Sequence, residues 1–231
     1  MAASETACGT DVIIFATTLI VLTARDQKVF WAAFLNIGAK MLPRRDTLHH
    51  TYGEYLAWPE TERTELIGGV AYVKEPPAPA RSHQEVVGEL YLQIGLALRG
   101  KPYRAYVAPF DVRLPKSEEP DERIETVVQP DVLVVCDLTK LDERGMRGSP
   151  DWLAEVLSPW TARHDQLLKL PVYERAGVRE VWLVDPADRI LTVYRLEAGR
   201  YGPPTILELK GRTEINALPS VWVDWDLLPP P

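Results

Sequence analysis

Apolar and polar positions follow helical spacing in some parts of the chain and extended spacing in others, which predicts a mixed α/β domain. Three short and nearly continuous apolar runs, at 132–136, 152–157 and 181–184, are typical of buried strands. Residues 165–176, between the second and third runs, favour a helix in which Pro171 either introduces a kink or sets the first turn. Strand, helix and strand in this order indicate a crossover unit in a sheet covered by helices.

Further elements are expected on both sides of this unit. They are a short helix in 51–58 with Thr51 as N-cap, a tight hairpin in 65–73 around Gly68 and Gly69, a helix over 82–98 capped by Ser82, a strand over 103–114, an exposed loop over 116–126 and a second hairpin over 189–209. Apolar residues that recur every four positions indicate the longer helix.

Residues 1–42 differ from the rest of the chain. The apolar run at 12–22 has eleven residues, whereas a helix needs roughly 20 to span a bilayer. The residues before it are acidic, which is not typical of a signal peptide. We therefore treat 1–42 as an apolar extension of a domain at 43–231. It is either an appendage translated from a misplaced start or a genuine segment that packs on the core or contacts a membrane surface through 12–42.

Composition narrows the class of protein. The 231 residues include 26 Lys and Arg and 33 Asp and Glu, giving a net charge of −7, and 46% are hydrophobic. These values exclude a disordered chain, a collagen-like repeat and a disulfide scaffold. The acidic balance argues against coating nucleic acid through bulk positive charge, although a local basic groove is compatible with it. The two cysteines, Cys8 and Cys136, lie far apart, which fits a reducing compartment, so we expect a cytoplasmic protein.

Two carboxylates in apolar surroundings are candidates for chemistry. Glu155 lies inside a predicted buried strand, where a carboxylate is costly unless it forms a salt bridge, for example to an arginine, or binds a cation. Asp131 opens another predicted strand, and Pro130-Asp131 taken alone is ordinary turn chemistry. Together, two carboxylates on neighbouring strands can share one hard cation, and Mg²⁺ prefers such oxygen ligands.

Other charged residues have two interpretations each. Lys169 forms a surface ion pair with Asp165 four residues earlier, or its helix folds back and directs the ammonium at the carboxylates. Glu65 is an exposed edge charge, or a third carboxylate that positions water or metal. His83, at a helix start, is a cap or surface residue, or lies beside an anion site. Because a short helix must bury its apolar side, we predict that Asp131, Glu155 and Lys169 form one cluster.

Several other chemistries lack their motifs. The sequence has no G-x-S-x-G, no phosphate-binding P-loop, no G-x-G-x-x-G after a strand and no H-E-x-x-H. This disfavours a serine hydrolase, a nucleotide-cofactor enzyme and a zinc enzyme.

A set of short motifs resembles a known family. They are Glu65-Leu66-Ile67-Gly68-Gly69, Ser82-His83-Gln84, Pro130-Asp131-Val132, Glu155-Val156-Leu157-Ser158-Pro159, then Asp165, Lys169, Tyr173, Gly177-Val178 and Val181-Trp182-Leu183-Val184-Asp185-Pro186. From about Leu48 to Asp188 the chain resembles the putative restriction-endonuclease family of the PD-(D/E)XK nuclease superfamily.

The resemblance implies a restriction-endonuclease-like fold of the α/β class, with a mixed β-sheet flanked by helices. It also implies Mg²⁺ or Mn²⁺ held by Asp131, Glu155 and the backbone carbonyl of Val156, with Glu65 as an accessory acid. The superfamily lysine would fall at Leu157. In this family it moves to the following helix, which matches Lys169.

These features predict a metal-dependent endonuclease that hydrolyses DNA phosphodiester bonds. Lys169 is expected to stabilise the negative charge that develops on the scissile phosphate. The alternative is a catalytically silent protein of the same fold that binds nucleic acid or a partner protein. The expected partner is nucleic acid, with DNA favoured over RNA. Because two strands must be cut, a homodimer is also expected.

Overall fold

The computed structural model describes residues 11–15, 18–22, 44–59, 63–73 and 80–229. The chain divides into two units, Met1–Ala39 and Lys40–Pro231. In the first unit, β1 (Asp11–Phe15) and β2 (Thr18–Leu22) pair as an antiparallel hairpin. The rest of the extension lies outside the described residues. The predictions that it is an appendage or contacts a membrane fall mainly on those residues. No helix within the described ranges is long and apolar enough to cross a membrane.

The second unit contains both helices and strands. Its helices are α1 (Tyr52–Tyr55), α2 (Arg81–Ala97), α3 (Ala162–His164) and α4 (Leu170–Ala176), with a π-helical turn (Asp165–Lys169) between the last two and 3₁₀ turns at Asp121–Arg123, Leu138–Lys140 and Trp225–Leu227. Its strands are β3 (Thr64–Ile67), β4 (Val70–Val73), β5 (Arg104–Val107), β6 (Val112–Arg113), β7 (Val127–Val128), β8 (Val132–Val135), β9 (Leu141–Asp142), β10 (Gly145–Arg147), β11 (Trp152–Val156), β12 (Glu180–Asp185), β13 (Ile190–Glu197), β14 (Arg200–Tyr201), β15 (Thr205–Glu208), β16 (Arg212–Glu214) and β17 (Trp222–Asp224).

The larger sheet is mixed. Its strand order is β14-β13-β12-β11-β8-β5, with β15 also paired to β13. β11 runs parallel to β12 and antiparallel to β8, and the helical segment 162–176 connects β11 to β12. The predicted crossover unit is therefore present, and β8 and β11 are direct neighbours.

A second sheet has the order β4-β3-β7-β6-β10-β9. The β3–β4 hairpin turns at Gly68 and Gly69, whose positive φ angles of 56° and 80° suit glycine. Strands β16 and β17 form a separate antiparallel pair.

Helices cover both faces of the larger sheet. Alternate residues of each strand point to opposite faces, so each strand contributes side chains to both contacts. On one face α2 packs its buried Leu90 and Ile94 into a cluster that contains Trp152 and Trp182. On the other face α4 packs Val172 and Tyr173 into a cluster with Leu153, Val181 and Leu183. Glu155 follows Leu153 by two residues, so its side chain belongs to the face covered by α4.

Several predicted boundaries were wrong. The single strand expected over 103–114 is two strands, β5 and β6, which belong to different sheets. The chain leaves the ladder near Pro109, which has no backbone N–H to donate. The cap of α2 is Ala80, so Ser82 lies in the first turn. The second hairpin is a meander in which β13 pairs with both β14 and β15.

Candidate functional site

Glu65, on β3, is fully buried rather than an exposed edge charge. The backbone N–H of Gln129 donates to its Oε1 at 2.8 Å, and the Lys169 Nζ lies 3.0 Å from the same oxygen. Its Oε2 lies 3.2 Å from Nε2 of His164. A backbone hydrogen bond, an ion pair and a histidine contact therefore hold this carboxylate in place.

Lys169 lies at the centre of the cluster. Its Nζ is fully buried, 2.6 Å from Oε1 of Glu155, 3.0 Å from Oε1 of Glu65 and 3.6 Å from Oδ1 of Asp165. Burial alone would lower the pKa of Lys169, but the surrounding carboxylates, Glu155 first, raise it well above its usual value. The ammonium is therefore charged at neutral pH. The ion pair with Asp165 exists, but it is buried with the rest of the cluster.

The π-helical turn explains how one helix supplies several of these groups. His164, Asp165 and Lys169 are all at most 3% exposed. In a regular α-helix of 3.6 residues per turn, positions 164 and 169 would lie on different faces. The wider turn, with its i→i+5 spacing, brings both toward Glu65. Pro171 then lies in the first turn of α4, where its missing N–H costs little.

Glu155 is 2% exposed and is held from the helix side. The Tyr173 hydroxyl donates to its Oε1, which also contacts the Lys169 ammonium. Burial raises the pKa of Glu155 to about 8, and the carboxylates of Asp165 and Asp131 add to the shift, while the Lys169 ammonium opposes it. The interpretation of a salt bridge to an arginine was wrong, because the partner is a lysine.

Asp131 lies at the start of β8, next to the end of β11. Its Oδ2 accepts a hydrogen bond from the backbone N–H of Val156 at 2.8 Å and lies 3.4 Å from Nε2 of His83. The N–H of Leu157 points the other way and donates to the carbonyl of Val184 on β12. Because the N–H and C=O of one residue in an extended strand point to the same edge, the Val156 carbonyl faces the Asp131 side of β11.

The chemistry of these oxygens fits a hard divalent cation. No group of three or more His, Cys, Asp and Glu side chains suited to a metal occurs among the described residues, and the predicted set is instead two carboxylates and a carbonyl. Within the part of the chain that the structure describes, Oε2 of Glu155 makes no hydrogen bond, so it is available to a cation. Three carboxylates lie within 4 Å of the Lys169 ammonium, namely Glu155, Glu65 and Asp165, and the Asp131 carboxylate raises the pKa of the neighbouring Glu155. This excess of negative charge favours an added cation.

Three residues that contact the cluster were not assigned to the site from sequence. Tyr173 enters the sequence analysis only as a member of the family motif. His164 carries no spacing signal, because its position depends on the π-helical turn. Gln129 acts through its backbone N–H, which any residue type supplies.

Comparison with known proteins decides the family. A family model described as "Uma2: Putative restriction endonuclease" matches residues 52–227. The chain belongs to this family. The match confirms the family inferred from the motifs and extends beyond residue 188 to the last strands. No curated protein matches the chain.

The fold of this family member also resembles a solved structure. A crystal structure of a putative nuclease belonging to DUF820 from Anabaena variabilis ATCC 29413 superposes with a TM-score of 0.57. The two chains share 20% identity over 72% of this chain and 89% of the other. The likeness confirms the restriction-endonuclease-like fold, a mixed α/β architecture.

Proposed function

We propose that the protein is a metal-dependent endonuclease that hydrolyses DNA phosphodiester bonds. The observation that carries the proposal is the position of the Lys169 Nζ, which is 2.6 Å from Glu155 and 3.0 Å from Glu65. In the superfamily motif this lysine would follow Glu155 by two residues and share its face of the strand. That position is Leu157 here, and the helix supplies the ammonium instead.

Asp131, Glu155 and the carbonyl of Val156 would hold Mg²⁺ or Mn²⁺. When bound, the cation supplies a water of lowered pKa and neutralises charge on the scissile phosphate. The Tyr173 hydroxyl fixes the Glu155 carboxylate from behind, and the Val156 N–H fixes Asp131. Both ligands are thus oriented before the substrate arrives.

Lys169 stabilises the negative charge that develops on the phosphate, an electrostatic role that needs a fixed donor. Glu65 is a positioning residue in this scheme. Its oxygens contact Gln129, His164 and Lys169, so it holds the ammonium near Glu155 rather than binding the cation.

A cleavage assay tests the proposal. Labelled double-stranded DNA, single-stranded DNA and RNA are incubated with the protein in Mg²⁺, Mn²⁺ or chelator. Cleavage that requires the cation and is abolished by Asp131→Ala or Glu155→Ala supports the nuclease. Intact substrate with every cation, accompanied by binding that survives Asp131→Ala, supports the silent binding protein instead.

The same proposal includes two copies of the chain, one for each strand of a duplex. Sedimentation of the protein with an uncleavable duplex measures this directly. A complex with one chain per duplex would contradict the dimer and leave the chemistry of the site untouched.

A further inference from the structure

A groove beside the cluster has no role in the proposed hydrolysis. It encloses about 690 Å³, and its lining includes Tyr55, Trp58, Phe110, Asp111, Gln129 and Arg144. Its rim mixes acidic and basic side chains, with Asp142 and Glu143 beside Arg144. Because this rim is not uniformly basic, the groove is poorly suited to a phosphate chain and better suited to a flat, partly polar group.

Aromatic rings form part of the lining. Phe110 stacks on Tyr106 with ring centroids 4.2 Å apart and planes at 15°, which fixes the ring while it lines the groove. Trp58 lies 5.5 Å from Tyr55, centroid to centroid, with the planes at 56°, and the Arg45 guanidinium lies over the Trp58 ring at 4.7 Å. Fixed aromatic faces of this kind stack on nucleobases without regard to sequence.

Asp111 adds a polar contact in the same groove. Its Oδ1 accepts hydrogen bonds from the Tyr55 hydroxyl at 3.0 Å and from Nε2 of Gln129 at 2.8 Å. Its Oδ2 makes no hydrogen bond to any residue that the structure describes. Gly145, with φ of 114°, approaches the Asp111 backbone so closely that a Cβ there would lie 2.2 Å from its carbonyl oxygen. The two hydrogen bonds to Oδ1 therefore hold the Asp111 carboxylate in place, and Oδ2 can accept a hydrogen bond from a ligand.

Gln129 connects the groove to the candidate active site. Its side chain donates to Asp111, whereas its backbone N–H donates to Glu65. Asp131 follows two residues later, a distance of about 7 Å along an extended chain. A nucleic-acid strand with one base in the groove would pass close to Asp131.

We infer that this groove binds an unpaired nucleobase of the substrate strand, stacked on Phe110 and Trp58 and donating an N–H to Asp111. The inference rests on the proposed nuclease function and specifies its substrate as a strand with at least one base out of a duplex. An unstacked base of this kind occurs in single strands, loops and locally opened duplexes.

Binding without metal tests the inference separately from cleavage. A labelled 15-nucleotide single strand and a strand of equal length made of abasic sugar phosphates are titrated with the protein in chelator. We expect the abasic strand to bind about tenfold more weakly or worse, from the loss of base stacking. Phe110→Ala should weaken binding of the base-bearing strand about tenfold and leave the abasic strand unchanged. The matched control is Trp222→Ala, because Trp222 in β17 is an aromatic residue that is 49% exposed. This variant should leave the affinity for both strands unchanged.

Equal affinity of the wild-type protein for both strands would overturn the inference, with no variant needed. So would a Phe110→Ala variant that binds the base-bearing strand as tightly as wild type. Cleavage by the wild-type protein in Mg²⁺ is scored on its own. Cleavage together with base-independent binding would contradict the groove inference and support the nuclease function. Base-dependent binding without cleavage in any cation would contradict the nuclease function and support the groove inference.

Discussion

The ammonium of Lys169 lies 2.6 Å from the carboxylate of Glu155, although the two residues are 14 positions apart in the sequence. Glu155 is on the central strand β11, and Lys169 is on the helical segment that leads to the neighbouring strand β12. Both side chains are at most 2% exposed. The crossover connection thus places a buried ammonium against a buried carboxyl group, and Glu65 supports it from the second sheet.

Replacing Lys169 by alanine is expected to affect both activity and stability. Cleavage should fall about 10²-fold or more, because one preorganised charge is lost. The free energy of unfolding should fall by about 3–5 kcal/mol, because Glu65 and Glu155 remain buried without their cation. Urea unfolding followed by fluorescence measures the second effect.

The matched control is Lys116→Ala, which removes an exposed ion pair with Glu125. That pair should be worth less than about 1 kcal/mol. Equal stability losses in the two variants would show that the buried cluster does not hold Lys169 as described.

Glu65→Gln separates a positioning residue from a metal ligand. The amide keeps the shape of the side chain but removes the charge opposite Lys169, so the rate should fall about tenfold or more. The affinity for Mn²⁺, measured by calorimetry, should stay within about twofold of wild type. Asp131→Asn serves as the contrast and should abolish Mn²⁺ binding. A loss of Mn²⁺ binding in Glu65→Gln would instead make Glu65 a ligand.

Tyr173→Phe removes the hydroxyl that donates to Glu155 and leaves the ring in the core. Removing the partner of a buried polar group costs about 1–3 kcal/mol, and the variant should lose that much stability. Tyr194→Phe is the control, because its hydroxyl makes no hydrogen bond within the described residues. Chemical denaturation of both variants gives the comparison, and similar losses would argue against the Tyr173 contact.

The raised pKa of Glu155 predicts how the metal-free protein responds to pH. The carboxyl has a pKa of about 8 in the folded protein, against an ordinary value of 4.5. Between these values the folded state holds a proton that the unfolded state has released, so the contribution of Glu155 to stability falls as pH rises through this window. The wild-type protein should therefore lose stability relative to Glu155→Gln between about pH 5 and pH 8. A difference that stays constant across this range, measured by denaturant titration, would contradict the shift.

The sequence alone was sufficient for the family, and it marked Asp131 and Glu155 as candidate site residues. Asp131 and Glu155 were identifiable because an acidic residue in or beside an apolar run has a high desolvation cost, which few structural roles justify. The crossover unit followed from the order of two apolar runs with a helical pattern between them. These features depend only on residue types within short segments, so they can be recognised in the sequence without the structure.

The tertiary structure decided which groups meet. Lys169 and Asp165 are spaced like an ordinary surface pair, and only the packing of the helix on β11 buries them. The local sequence around Glu65 is compatible with an exposed edge charge. The pairing of β3 with β7 buries this residue and brings the Gln129 N–H to its carboxylate. The π-helical turn, which directs both His164 and Lys169 to Glu65, has no signal in local spacing. Burial and contact depend on segments distant in sequence, and residue patterns within one segment do not report them.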